Sequence, residues 1–233
     1  MTKPTPNCTT CKVKNLSVLR NCCTEILEEI SEKKTSYLFK KGDRLLTEGG
    51  EAKGIYCIRS GVTKVEVHNN EGRPLILRLE GKGSVAGYRV TGKKDKQPLT
   101  ITAVENVQAC HLSTEKFRSI SLKCQCLRSE IMKSLLSELH SVEMRALSLV
   151  NNSVKERIAG VLLHIADVYH YRQGGCSIHV RLDRQDIADL AGTTKEQVSK
   201  ILAELRQAKL INFKAKHFKY IDLAGLRKIV EAP

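Results

Sequence analysis

The chain has 233 residues, 41% of them hydrophobic and 27% charged, with no Trp; this balance suits one large or two modest globular domains and excludes collagen-like, low-complexity and largely disordered classes. Its 39 basic against 25 acidic side chains leave a formal charge of +14, which favours a polyanionic partner, either nucleic acid or an anionic membrane surface. Nine Cys is an odd count and far below the density of a disulfide scaffold, so at least one thiol is free or ligated and a reducing compartment is expected.

The start, Met1 to Val13, is polar and carries Cys8, Cys11, Lys3 and Lys12 where an export signal needs an apolar stretch, so a cytoplasmic location is expected. The longest apolar stretch, about Ile158 to Val168, is interrupted by His164 and Asp167 and is too short to cross a bilayer, so no membrane partner is expected. From about Tyr37 to Leu112 short strands alternate with turn signals at Lys41-Gly42-Asp43, Glu48-Gly49-Gly50, Arg59-Ser60-Gly61, Asn69 to Gly72 and Gly81-Lys82-Gly83. That rhythm predicts an all-β sandwich or barrel of jelly-roll type. Within it Thr63, Val65 and Val67 alternate against Lys64 and Glu66, and Leu75, Leu77 and Leu79 share a face, so each strand is expected to have one dry side. Cys57 falls within a strand and reads as core.

After Cys126 the pattern turns helical. Leu135, Val142 and Leu149 recur every seven residues, flanked by Ile131, Met132, Leu139 and Ala146, with no Gly or Pro to interrupt them. This periodicity suits a helix packed on its own domain and a coiled-coil-like seam between two chains equally well. From Asn151 the chain is helix-rich again and ends in a strand at Leu210 to Phe213, a basic turn at Lys214 to Lys219 and a strand at Tyr220-Ile221. The expected division is therefore a Cys-bearing arm over 1–24, a β-roll over 25–125, the long helix over 126–150 and a compact C-terminal domain over 151–233.

The most specific signal lies between Arg184 and Leu205, where Ala188, Gly192, Val198 and Ile201 occupy relative positions five, nine, fifteen and eighteen of a helix-turn-helix. A small residue is needed where two helices cross, a glycine supplies the turn, and two apolar residues bury the inner face of the second helix. Thr193 or Thr194 can cap that helix, which places Lys195, Glu196, Ser199 and Lys200 on its outward N-terminal side. Lysines donate to guanine or phosphate, Glu196 accepts from a cytosine amino group and Ser199 reaches either. Arg184 and Thr194, with Lys214 and Lys216 on a wing-like turn, complete the candidate DNA-binding set. Lys195 to Lys219 holds seven basic residues against Glu196 and Glu204, more than a merely solvated helix face requires.

Together with Tyr56-Cys57-Ile58-Arg59-Ser60-Gly61 and Arg184-Gln185-Asp186-Ile187-Ala188, these elements resemble the Crp/Fnr family of transcription regulators over nearly the whole chain. The resemblance implies an α+β architecture: a β-roll of cyclic-nucleotide-binding type, a long dimerisation helix and a C-terminal winged helix-turn-helix. It further implies a homodimer joined along the long helix through Ile131, Leu135, Leu139, Val142 and Leu149, which reads a palindromic duplex and has RNA polymerase as a partner. In the Fnr branch the recognition helix carries Glu, two residues, then Ser-Arg; this chain has Glu196, then Ser199-Lys200, and Lys keeps the charge but loses the bidentate fork.

Family members of the cyclic-AMP type hold ribose and phosphate through a Gly-Glu-Leu segment and an Arg-Ser pair, for which this chain has Gly83-Ser84-Val85 and Gln97-Pro98. Without the carboxylate and guanidinium a cyclic phosphate is poorly compensated, so cyclic AMP is not expected; Gly83, Ser84, Val85 and Arg89 are kept as an effector-pocket set for another ligand. Cys8-x-x-Cys11, Cys22-Cys23 and Cys110 resemble the Fnr arrangement, in which N-terminal thiolates and one from the β-roll hold an iron–sulfur cluster. That pattern places a third cysteine where this chain has Ser17, so Cys22 or Cys23 is expected to substitute. Zinc, a thiol redox switch and inert cysteines remain open alternatives, and haem is a lesser one, because the seven His are scattered without a metal-binding pair. Cys124-x-Cys126 has an awkward spacing for one metal or a relaxed disulfide.

No phosphate loop, dinucleotide fingerprint, nucleophile elbow or metal-binding His-Glu helix occurs, so no enzyme is expected. A β-roll alone would also suit a ligand-binding regulatory module for another protein; the helix-turn-helix window discriminates against that reading.

Overall fold

The computed structural model describes residues 6–51, 53–68, 74–87, 96–171, 178–214, 217–220 and 222–231. The chain forms two compact units, one of Met1–Pro74 with Leu79–His140 and one of Leu75–Arg78 with Ser141–Pro233. The division falls inside the long helix.

In the first unit a 3-10 turn at Lys14–Leu16 and helix α1 (Thr24–Lys33) precede strands β1 (Thr35–Phe39), β2 (Arg44–Leu46), β3 (Ile55–Ser60), β4 (Thr63–His68), β5 (Pro74–Glu80), β6 (Val85–Ala86), β7 (Thr100–Ala103) and β8 (Val107–Leu112). Helix α2 (Thr114–Lys123) and the long helix α3 (Gln125–Asn151) follow. The strands form two four-stranded sheets, ordered β1-β8-β3-β6 and β2-β7-β4-β5. Between the sheets lies a core of Leu45, Leu46, Tyr56, Ile58, Val65, Ile101, Val107 and Ala109, the β-roll expected from the turn rhythm.

Period-two burial has exceptions where polar partners or neighbouring structure intervene. Glu66, expected to face solvent, is 5% exposed; its carboxylate accepts from Thr102 Oγ1 at 2.6 Å and pairs with Lys64 at 2.9 Å, which offsets desolvation. In β5 the expected dry face of Leu75, Leu77 and Leu79 is broken. Leu75 is exposed while Ile76 and Leu79 are buried, and residues 75–78 group with the second compact unit.

The outer face of the β1-β8-β3-β6 sheet carries a second core. Ile55, Val85 and Leu112 meet Leu27 and Ile30 of α1, Ile120 of α2, Leu127 of α3, and Cys8, Cys22 and Cys124. The N-terminal arm is tied down over this face: the Cys8 amide donates to Ser31 Oγ at 2.7 Å. Gly83 has φ +88°, and a Cβ there would stand 2.5 Å from the Leu16 carbonyl oxygen, so only glycine admits the arm at that turn. The strongest anchor is Glu130 on α3, 2% exposed, which accepts from Asn21 at 2.9 Å and pairs with Arg20 and with Lys133 at 2.9 Å.

Helix α3 departs from the expected seam at its first half. Ile131 and Leu135 are half-buried against their own unit's core, whereas Met132, Leu136, Leu139, Val142, Met144, Leu147, Leu149 and Val150 are all about half exposed or more. The second unit contains α4 (Val154–Val168), β9 (Ile178–His179), α5 (Arg184–Ala191), α6 (Lys195–Gln207), β10 (Ile211–Lys214), β11 (His217–Tyr220) and α7 (Leu223–Val230). The three strands order as β10-β11-β9, with Ile158, Leu162, Ile187, Leu202, Phe218 and Leu226 in the core. Among the described residues no helix is long and apolar enough to cross a membrane.

Hydrogen bonds from Lys133, Arg20 and Asn21 hold the Glu130 carboxyl down at about 2, against 4.5 ordinarily. A depressed carboxylate contributes stability that is complete above its unfolded value and lost as pH falls through the folded one. Acid titration followed by far-ultraviolet circular dichroism should therefore show a loss between pH 4.5 and 2 that Glu130→Gln flattens; an unchanged profile would disprove the anchoring role.

Candidate nucleic-acid interface and thiol cavity

Helix α5 starts with a reciprocal cap between Asp183 and Asp186 and ends at Gly192, which is left-handed at φ +61° and ψ +49°. Ala188 is fully buried, as a tight helix crossing requires. Arg157 of α4 donates to the carbonyls of Ala191 at 2.8 Å and Gly192 at 3.3 Å, so the unpaired C-terminal carbonyls of α5 are met by a cation. Sequence reasoning does not single out Arg157, since one Arg on an amphipathic helix gives no local sign of what it reaches. Of the two threonines, Thr194 is the cap of α6 and accepts from the Gln197 amide at 3.4 Å, while the Thr193 amide donates to the Ala188 carbonyl at 3.0 Å.

On α6, Val198, Leu202 and Leu205 are fully buried and Ile201 nearly so, leaving Lys195, Glu196, Ser199 and Lys200 exposed on the opposite side. The Glu196 carboxyl lies below the usual carboxylate range because it accepts from its own backbone N–H and from the Thr194 hydroxyl, with Lys195 nearby. It remains an ionised acceptor at neutral pH. Ser199 donates its hydroxyl to the Lys195 carbonyl at 2.9 Å, which still leaves oxygen lone pairs outward. Lys214 and Lys219 are exposed on the β10-β11 hairpin; Lys216, also expected at this wing, lies outside the described residues.

Arg184, half-buried, packs against the hairpin. Its guanidinium stands 4.9 Å from the Phe213 ring centroid and 5.7 Å from that of Phe218, and burial lowers its pKa. The planar cation is used to pack the start of α5 on the hairpin, a role invisible until the two phenylalanines are in place.

In the first unit a partly open cavity on the outer face of the β1-β8-β3-β6 sheet is lined by Cys8, Cys11, Cys57 and Cys110, with Ser17, Lys34 and Arg59. Cys57 and Cys110 face each other as register partners on adjacent antiparallel strands. Lys34 is 8% exposed, and its ammonium stands 2.9 Å from Cys8 Sγ and 2.5 Å from the Pro6 carbonyl. Burial pushes the Cys57 thiol up to about 12, the neighbouring Cys110, Cys11 and Cys8 raising it and Lys34 lowering it. Burial also raises Cys110, against the pull of Lys34, Ser36 and Arg59. Free thiols so protonated are poor nucleophiles, which weakens the thiol-switch reading for this pair.

Two sequence expectations change here. Cys22 and Cys23 do not reach the cavity: Cys22 packs near Cys124, and burial together with that neighbour pushes it up to about 12, while Cys23 is exposed at the cap of α1. Cys57, read as core, does pack against the second core and in addition lines the cavity, because only alternate residues of β3 face the inter-sheet core and Cys57 is out of phase with them. The effector set also disperses: Val85 lines the thiol cavity, Gly83 is covered by Leu16, Ser84 is not among the lining residues, and Arg89 lies outside the described residues.

Four sulfur donors with three flanking cations, Lys14, Lys34 and Arg59, and no carboxylate among the described lining residues, are the donor chemistry of a thiolate-ligated centre such as an iron–sulfur cluster. Among the described residues, no three His, Cys, Asp or Glu side chains are grouped at metal-holding distance, so ligation requires these thiols to draw together. His111 also lines the cavity, but its ring lies 4.7 Å from Tyr56 and its Nε2 is 3.2 Å from the Lys53 carbonyl, which disfavours the haem option.

The profile of a Crp-like helix-turn-helix domain matches residues 156–229, and that of a cyclic nucleotide-binding domain matches 38–123. The chain is 26% identical over 235 residues to the fumarate and nitrate reduction regulatory protein of Vibrio cholerae serotype O1, covering 95% of this chain and 92% of that one. Its counterpart in Escherichia coli K12 is 25% identical over 217 residues, 91% of this chain and 85% of that one. Among solved structures, FixK2 from Bradyrhizobium japonicum superposes with a TM-score of 0.75 at 19% identity, covering 86% of this chain and 98% of that one. A CRP/FNR-family transcriptional regulator from Thermus thermophilus gives 0.69 at 22%, covering 84% and 98%.

A Cβ at Gly192 would meet Leu149 Cδ2 at 2.6 Å at a left-handed φ. Gly192→Ala should therefore cost about 1–2 kcal/mol from conformation alone, and Arg157→Ala about 1.5–3 kcal/mol from lost charged hydrogen bonds. Thermal unfolding of the full chain measures both, and a neutral effect of either would refute the corresponding assignment.

Proposed function

Because the chain belongs to the Crp/Fnr family of DNA-binding transcription regulators, we propose that it acts as a homodimer whose two α6 helices enter successive major-groove segments of a palindromic site, about 34 Å apart. The observation that carries this reading is the exposed N-terminal face of α6, with Lys195, Glu196, Ser199 and Lys200 all outward. Glu196 accepts from a cytosine amino group, Lys195 and Lys200 donate to guanine or phosphate, and Lys214 and Lys219 hold backbone phosphates. Lys200, lacking a guanidinium fork, fixes charge rather than bidentate geometry.

Dimerisation is supported by the apolar side chains that α3 leaves exposed, Met132, Leu136, Leu139, Val142, Leu149 and Val150 among them. A helix this apolar on one side is covered in its working state. Ile131 and Leu135 serve the protomer's own core, so the seam shifts toward Met132 and Leu136. In the cytoplasm, with RNA polymerase as its partner, such a dimer regulates transcription when an effector binds its two arrangements unequally; equal affinity would shift nothing.

The thiol cavity is the proposed sensor. An iron–sulfur cluster bound there supplies a redox- and oxidant-responsive centre. The chain's own residues provide sulfur donors from the arm and the β-roll, a sheet face that excludes water from one side, and the Lys34 ammonium beside Cys8.

An operator selected from random duplexes by the full-length protein tests the DNA reading. Glu196→Ala should relax base preference at one position per half-site, costing roughly 1–3 kcal/mol at the selected site. Lys214→Ala should weaken all duplexes alike and lower the salt slope by about 1. Unaltered preference in the Glu196 variant would remove it from the readout.

A further inference from the structure

The cavity poses an electrostatic problem that the protein's own carboxylates do not solve. Lys34 is buried, its ammonium meets a carbonyl and a thiol, and no Asp or Glu is among the described lining residues. A buried ammonium left with neutral partners is costly. Lys14 and Arg59 add two further cations to the lining, Arg59 one pleat repeat along β3 from Cys57. The wall therefore calls for negative charge, and sulfur is the atom that can carry it.

Position along the strands decides which sulfurs are available. Ile55, Cys57 and Arg59 alternate onto the cavity face of β3, and Cys110 and Leu112 do the same on the neighbouring β8. Cys8 and Cys11 approach from the arm, and Ser17 lies on the same lining. Cys22 and Cys23 are not on that lining: Cys22 sits in the adjoining core beside Cys124 and Cys23 is at the surface.

We propose that Cys57 supplies the thiolate that the arm lacks at Ser17, so that Cys8, Cys11, Cys57 and Cys110 together hold an iron–sulfur cluster. This rests on the cluster reading given above and changes its ligand set from three arm sulfurs and one strand sulfur to two of each. On ligation each thiol gives up its proton, and the net negative charge of a tetrathiolate cluster is offset by Lys34 and Arg59. Two ligands on directly opposed residues of one strand pair make half of the site rigid, leaving the arm to close it.

The test is anaerobic reconstitution of full-length protein with ferrous iron and sulfide, followed by desalting, iron and acid-labile sulfide assay and visible absorption. Removal of a direct ligand should cost more than the roughly 10- to 100-fold lost with an outer-shell partner. Cys57→Ser is therefore expected to lose its retained iron and visible band by more than about a hundredfold, as are Cys8→Ser, Cys11→Ser and Cys110→Ser. Cys22→Ser and Cys23→Ser should load like wild type. Ser17→Cys introduced into Cys57→Ser should restore iron and colour, which separates a lost ligand from a lost fold. Wild-type loading that Cys57→Ser leaves intact, or a Ser17→Cys second change that restores nothing, overturns the role of Cys57 while the cluster reading stands. A wild-type protein that retains neither iron nor sulfide overturns both.

Discussion

The antiparallel register of β3 on β8 is the constraint from which the first unit follows. Tyr56 and Ile58 on β3, with Val107 and Ala109 on β8, point into the inter-sheet core; Cys57, between the first two, and Cys110, next after Ala109, are paired across the strands and point outward. A slip of one residue would exchange the two sets and bury sulfur where the β-roll needs aliphatic volume. The same pairing thus builds the roll and presents two thiols to the arm. Because the arm must then cover an apolar face that carries thiols, its anchors at Ser31, Gly83 and Glu130 acquire a purpose beyond tidiness of the N-terminus.

Charge is handled differently in the two units. Around the thiol cavity, cations face sulfur with no carboxylate among the described lining residues, an arrangement that favours an anionic occupant. In the second unit, Arg157 and Arg184 are both committed internally, one to the carbonyls that end α5 and the other to the faces of Phe213 and Phe218. What remains outward on α6 and the hairpin is a lysine-rich surface with one ionised glutamate, which separates attraction to any duplex from discrimination among duplexes. Net charge alone would not have located it, since residues 151–233 hold fourteen basic and nine acidic side chains and most of the +14 lies elsewhere.

Helix α3 links the two behaviours because its two halves do different work. Its first turns bury Leu127 and Glu130 in the protomer, and its later turns leave leucine, methionine and valine uncovered. The division between the compact units falls within it, at His140–Ser141, so the element proposed to join two chains belongs partly to each unit.

Much of this was legible in the residues themselves, where the determinants are local. Turn glycines and alternating strands announced the β-roll, and Ala188, Gly192, Val198 and Ile201 announced the helix-turn-helix, because each of those positions is set by backbone conformation or by contacts within a few turns. The N-cap of α6 was narrowed to two threonines, and the capping hydrogen bond selects Thr194. What the chain could not disclose were pairings between distant segments: that Arg184 would be spent on aromatic rings, that Arg157 would close the end of α5, and that Ile131 and Leu135 would turn inward. The cysteines make the point most sharply. Spacing and resemblance brought forward Cys22, Cys23 and Cys110, whereas the cavity omits the first two and adds Cys57, which becomes a neighbour of Cys110 only when β3 pairs with β8. Sequence proximity decides what one helix or turn does; strand register decides which side chains share a wall.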